Sequence, residues 1–108
     1  MRFPLADFST ASGWELLRLA DVDSDLVGFS GGFACGGHAY LVPHSGSAGS
    51  PTTGSLAVRV DINDFTVAGT TVFDFADVHA SLRGFDGGFC NTKAGSSIGG
   101  DGTFAYVR

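Results

Sequence analysis

The stretch Ala20-Asp-Val-Asp-Ser-Asp-Leu-Val-Gly-Phe-Ser-Gly-Gly-Phe33 returns 56 residues later as Ala76-Asp-Val-His-Ala-Ser-Leu-Arg-Gly-Phe-Asp-Gly-Gly-Phe89. Self-similarity at one offset is the mark of a repeat architecture. Upstream, Arg2, Asp7 and Phe8 align with Arg59, Asp64 and Phe65 at an offset of 57, one residue of slippage falling in a turn. Downstream, Ala39-Tyr40 aligns with Ala105-Tyr106 across a loop of different length. The repeat therefore runs through nearly the whole chain. It divides a single domain over 1–108 into two units, about 2–58 and about 59–108.

Each unit resolves into four short runs. Leu56 to Ile62 alternates, with Leu56, Val58, Val60 and Ile62 on one face, which is the period of a half-buried strand. Asp61-Ile-Asn-Asp64 reads as a turn, because Asp and Asn side chains bond back to the nearby backbone. Thr70 to Ala76 is a second strand, with Thr71, Phe73 and Phe75 on one face, and its counterpart is Glu15 to Leu19. The Gly-Phe-x-Gly-Gly-Phe run is a third. His38 to Val42 and Thr103 to Val107 form the fourth, and Pro43 closes the first of these, as proline does at a strand end. Four strands in a repeat of this length is the pattern of a propeller blade. In such a blade Gly28, Gly31, Gly32, Gly84, Gly87 and Gly88 let crowded inner strands approach, and Phe29, Phe33, Phe85 and Phe89 fill the space between blades.

The order Gly-Phe-x-Gly-Gly-Phe, Ala-Tyr-Leu-Val-Pro-His, Gly-Ser-Leu-Ala-Val-Arg-Val-Asp and Asp-Phe resembles a tandem β-propeller repeat family with kelch-like blade logic. The family pattern is GF-GG-F-DGR-YFVPY … G-VVR-D … F. Two departures stand out: Cys35-Gly-Gly37 replaces the Asp-Gly-Arg turn, and Asn91 to Gly102 forms a Gly/Ser-rich insert. The resemblance implies an all-β fold of two four-stranded antiparallel blade repeats, circularly offset, with one complete blade between two half-blades. Residues 2–20 would supply outer strands and residues 84–108 inner strands. Two blades do not close a ring, so copies of the chain, or further blades of a longer chain, would complete it; three copies would make six blades and four would make eight. The resemblance carries no catalytic residue.

Composition narrows the partners. The chain has 108 residues, 17 Gly, 10 Phe and a net charge of −5, with six Lys and Arg. Those six are scattered, so no basic stripe exists to neutralise phosphates, and nucleic acid is not an expected partner. Leu26 to Val58 lacks charged residues, but its glycines, prolines and serines make it a poor membrane span. No leader pattern fixes a compartment.

Candidate sites are few. Asp21, Asp23 and Asp25 alternate as at the start of a calcium loop, but Leu26 stands where the loop needs glycine and Gly32 where it needs glutamate. They read as solvated turn acids, and no metal or cofactor is expected. Cys35 and Cys90 follow Phe33 and Phe89 one register apart, so strand alternation turns them to opposite sides. That predicts two free thiols. His38, His44 and His79 lie near strand ends or on a loop, with no Gly-x-Ser-x-Gly elbow. Trp14 has no counterpart in the second unit and suits packing, an interface or sugar stacking. The Gly/Ser runs Ser45 to Gly54 and Asn91 to Gly102 differ between units and are candidate binding loops.

These features lead to a non-catalytic binding or scaffold module whose rim loops meet a glycan or a protein. One alternative is a structural segment of a longer repeat protein with no ligand of its own. Another is a hydrolase-type propeller in which Asp86 near the axis contributes.

Overall fold

The structure is a computed structural model that describes residues 1–46, 49, 53–91 and 104–108. Half of the Ser45–Gly54 loop, and the Asn91–Gly102 loop after Asn91 together with Thr103, lie outside the described residues. The described chain is all-β, with short 3-10 turns as its only helical elements. None of its helices is long and apolar enough to cross a membrane.

Four strands form one antiparallel sheet in simple meander order: β1 (Phe29–Cys35), β2 (His38–Pro43), β3 (Leu56–Asp61) and β4 (Thr70–Asp74). Gly36 and Gly37, both at positive φ, make the tight turn from β1 to β2. A second, two-stranded sheet pairs β5 (Gly88–Cys90) with β6 (Ala105–Val107). Both sheets are open. Pro43 is the last residue of β2 rather than a stop beyond it.

Register divides the four-stranded sheet into two faces. The back carries Gly32, Ala34, Ala39, Leu41, Val58, Val60 and Val72, which pair across it. The front carries Phe33, Cys35, Tyr40, Arg59, Thr71 and Phe73. The core lies on the back: Leu26, Leu56, Val58 and Val60 are buried, and Leu17, Leu19, Val22, Phe29, Leu41 and Phe65 pack around them. The alternation of Leu56, Val58 and Val60 is thus realised. Ile62 lies beyond the end of β3 and is 48 % exposed.

The expected strand from Glu15 to Leu19 is reduced to a single bridge, Arg2 to Glu15. Its last residues instead enter a 3-10 turn, Leu19–Asp21. Likewise β4 ends at Asp74, where Asp74 Oδ1 accepts the Ala76 N–H and starts the 3-10 turn Phe75–Asp77. An aspartate able to cap the following turn competes with continued strand pairing.

The two units share their turns and some of their strand pairings. Val22 N–H to Leu19 O, Asp23 N–H to Leu19 O, Leu26 N–H to Asp23 O and Val27 N–H to Asp25 O recur as Val78 to Phe75, His79 to Phe75, Leu82 to His79 and Arg83 to Ser81. The Arg2–Glu15 bridge corresponds to the pair Arg59–Thr71 inside the β3–β4 ladder. Phe33 pairs with Tyr40 as Phe89 pairs with Tyr106, and Gly32 with Leu41 as Gly88 with Val107.

Candidate functional site

The two-stranded sheet packs on the four-stranded sheet through β5 and β1. Phe33 stacks on its cross-strand partner Tyr40, centroids 5.0 Å apart, on the front of the large sheet. Gly88 of β5 closes over Phe33: a Cβ there would lie 2.8 Å from the Phe33 ring and 2.7 Å from the Tyr106 carbonyl oxygen. Only a residue without a side chain allows this approach. The adjoining segment is threaded by hydrogen bonds from Phe85 N–H to Pro43 O at 2.9 Å and from Gly84 N–H to Gly54 O at 2.9 Å.

Cys35 and Cys90 meet at this joint as a disulfide, with Cα atoms 6.3 Å apart, so neither is the free thiol expected. The alternation argument compared two residues as if they shared a sheet. They belong to different sheets, stacked so that the front of one meets the back of the next. Cys90 is the counterpart of Ala34, a back-face residue, and Cys35 is a front-face residue, so opposite register is what brings them together. A chain with two cysteines in units expected to stack offered that signal.

The same stacking leaves matching surfaces uncovered. Phe89 and Tyr106 stack at 5.3 Å as Phe33 and Tyr40 do, but they are 60 % and 51 % exposed. On the other side, Gly32 and Ala34, the counterparts of the covered Gly88 and Cys90, are exposed. The front of the large sheet continues outward as a groove lined by Tyr40, Ala57, Arg59, Thr71, Phe73 and Phe75. Phe73 in it is half exposed. A second groove on the back runs between the N-terminal segment and the sheet, lined by Arg2, Leu17, Leu19, Ala39, Leu41 and Phe65 among others.

The remaining motif residues serve the same region. Phe85 packs edge to face on Phe75 at 5.3 Å. Gly28 takes a positive φ of 71°, and a Cβ there would collide with Ser45 and Gly46; its carbonyl accepts the His44 and Ser45 N–H groups. Gly31, Gly32 and Gly87 line a shallow depression with Gly88, Phe89 and Tyr106. Phe29 joins the rim of the core on the back.

The polar candidates are dispersed. Asp86 is an exposed surface acid whose carboxylate lies 3.3 Å from His44 Nδ1, while that nitrogen also lies 3.1 Å from Phe85 O. Asp23 Oδ1 accepts the Asp25 N–H at 2.9 Å in an exposed turn, and Asp21 ends a 3-10 turn. Among the described residues no group of three or more His, Cys, Asp or Glu side chains could hold a metal ion. His79 Nδ1 is engaged with Ser81 and His38 Nδ1 with Gly36 O. Trp14 is half-buried in an aromatic cluster, stacked on Phe3 at 4.7 Å and near Phe8, and its indole N–H donates to Phe8 O.

One polar cluster escaped the sequence reading. Ser55 is fully buried. Its hydroxyl bonds Asp74 and holds that carboxyl below its ordinary pKa, helped by the Ala76 N–H and the charge of Arg83 and opposed by burial. Arg83 Nη1 also donates to Thr53 O at 2.9 Å. The cluster ties the start of β3 to the end of β4 and is structural in placement. Arg83 stands where the first unit has Val27, so the repeat did not point to it.

No family model, no curated protein and no solved structure matches the chain. The class that fold and joint define is an all-β protein of stacked, repeated antiparallel sheets.

Proposed function

We propose that the chain is a non-catalytic scaffold module of β-propeller type. In this reading β1 to β4 form one blade, β5 and β6 the inner half of the next, and residues 2–19 the outer half of the one before. The family resemblance in the sequence supports the blade assignment. The scaffold holds the turns between strands at fixed spacing around a ring, where they meet a protein or glycan partner.

The observation that carries the proposal is the mismatch of covered and uncovered faces. Front-face Phe33 and Tyr40 are roofed by the glycine-bearing back of β5, whereas the equivalent front pair, Phe89 and Tyr106, and the equivalent back positions, Gly32 and Ala34, are open to solvent. Apolar surface of this kind is stabilised by removal from water, and the surface each face fits is already present in the molecule. Further equivalent sheets would satisfy both faces.

The test is the absolute mass in solution by light scattering at two concentrations. A single discrete multiple of 11.1 kDa at both is the expected result. A monomer at both overturns the proposal.

A further inference from the structure

We infer that the N-terminal segment of one copy of this chain adds, in a second copy, to the edge of β6 that no other described residue pairs, making one four-stranded sheet from two chains. The inference rests on the scaffold reading and specifies how its copies join.

In the complete sheet, Arg59 of β3 has Thr71 on one side and Tyr40 on the other. Arg2 corresponds to Arg59 and Glu15 to Thr71, and these two are bridged. The counterpart of Tyr40 is Tyr106. The side of Arg2 away from Glu15 therefore has its natural partner in Tyr106, and the neighbouring pair Ala39–Val60 has its counterpart in Ala105 and Phe3.

The backbone groups have the matching phase. Arg2 exchanges both N–H and C=O with Glu15 at 2.9 Å. Successive residues of a strand direct these groups to opposite edges, so those of Phe3 face the other way. On either side of β6, Phe104 and Arg108 bond toward the β5 side, through Asn91 N–H to Phe104 O and Arg108 N–H to Gly87 O. The N–H and C=O groups of Ala105 consequently face away from β5. Ala105 with Phe3 then forms a hydrogen-bonded pair, and Tyr106 with Arg2 a closely spaced non-bonded one.

The two halves do not meet within one chain. Leu17 and Leu19 hold the N-terminal segment on the back of the large sheet, and Gly88 and Cys90 hold β5 on its front. A second copy supplies each half with its missing partner. In the same step it lays its exposed Gly32 and Ala34 over Phe89 and Tyr106 of the first copy, repeating the internal joint. Unpaired edges add strands readily. Because each joint uses two different surfaces, the contact is head-to-tail, the kind that makes a ring when its rotation closes.

Two measurements test the joint. Arg2→Cys and Tyr106→Cys variants, purified separately and mixed in a glutathione redox buffer, are expected to give a covalent heterodimer whose linking peptide joins positions 2 and 106. The spacing of about 4.5 Å between Cα atoms of a non-bonded antiparallel pair suits a disulfide. Ala105→Pro removes only an outward N–H, a change an edge strand tolerates, and is expected to shift the assembly to 11.1 kDa with its β-sheet circular dichroism retained. An assembled wild-type chain that gives no heterodimer, or an Ala105→Pro variant that stays assembled, overturns the joint and leaves the scaffold reading standing. A wild-type monomer overturns both.

Discussion

Cys35 and Cys90 are joined between two different sheets, one from the end of β1 and one from the end of β5, with Cα atoms 6.3 Å apart and a sequence separation of 55. The bond fastens the two repeat units at the point where Gly88 closes over Phe33.

Removing that link with Cys35→Ser and Cys90→Ser together is expected to destabilise the chain by about 2–4 kcal/mol, since it releases a long loop in the unfolded state. Denaturant unfolding of the variant against wild type, each with and without reductant, checks this. Reductant should move wild type toward the variant and leave the variant unchanged. Equal midpoints for all four would refute the stabilising role.

Gly88→Ala tests the close approach at the same joint. The added methyl falls within 3 Å of both the Phe33 ring and the Tyr106 carbonyl. Overpacking of this kind costs about 1–3 kcal/mol. A thermal melt showing no loss would mean that β5 does not lie against β1 as described. Gly37→Ala makes a poor control, because its positive φ strains any side chain there.

Asp74 links stability to acid. The hydrogen bond from Ser55 depresses its pKa in the folded state. The stabilisation is therefore present above the unfolded aspartate pKa, about 3.9, and is lost as pH falls through the lower folded value. Melting temperature is expected to drop on acidification below about pH 4, and Asp74→Asn to flatten that drop. An unchanged acid slope in the variant would remove Asp74 from the account.

Val58 is 1 % exposed at the centre of the back face. Val58→Ala is expected to cost about 2 kcal/mol through lost burial and the cavity left behind. Phe89→Ser, at a position largely open in the single chain, should cost the isolated chain far less and instead weaken assembly. Unfolding and light scattering measured on both variants separate the two effects. A Phe89→Ser variant that assembles as wild type does would count against the exposed front as a contact surface.

The sequence by itself determined β1 to β4 and the repeated motif, while the second Gly-Phe-x-Gly-Gly-Phe run is extended into a strand only from Gly88. The alternation of Leu56, Val58 and Val60 places a buried face wherever the backbone is extended, and the recurring Gly-Phe-x-Gly-Gly-Phe run marks equivalent positions without reference to any contact. These signals are local, with a period of two residues or a fixed offset along the chain. The fate of Glu15 to Leu19 was decided otherwise: that segment keeps one bridge to Arg2 and spends Leu17 and Leu19 on packing behind the sheet. Only the tertiary structure decided that Cys35 reaches Cys90, that Ser55 is buried beside Asp74, and which of two equivalent Phe–Tyr pairs is covered. Each depends on which face of one sheet meets which face of another. Side-chain alternation fixes direction within a sheet, but it carries no information about how separate sheets stack.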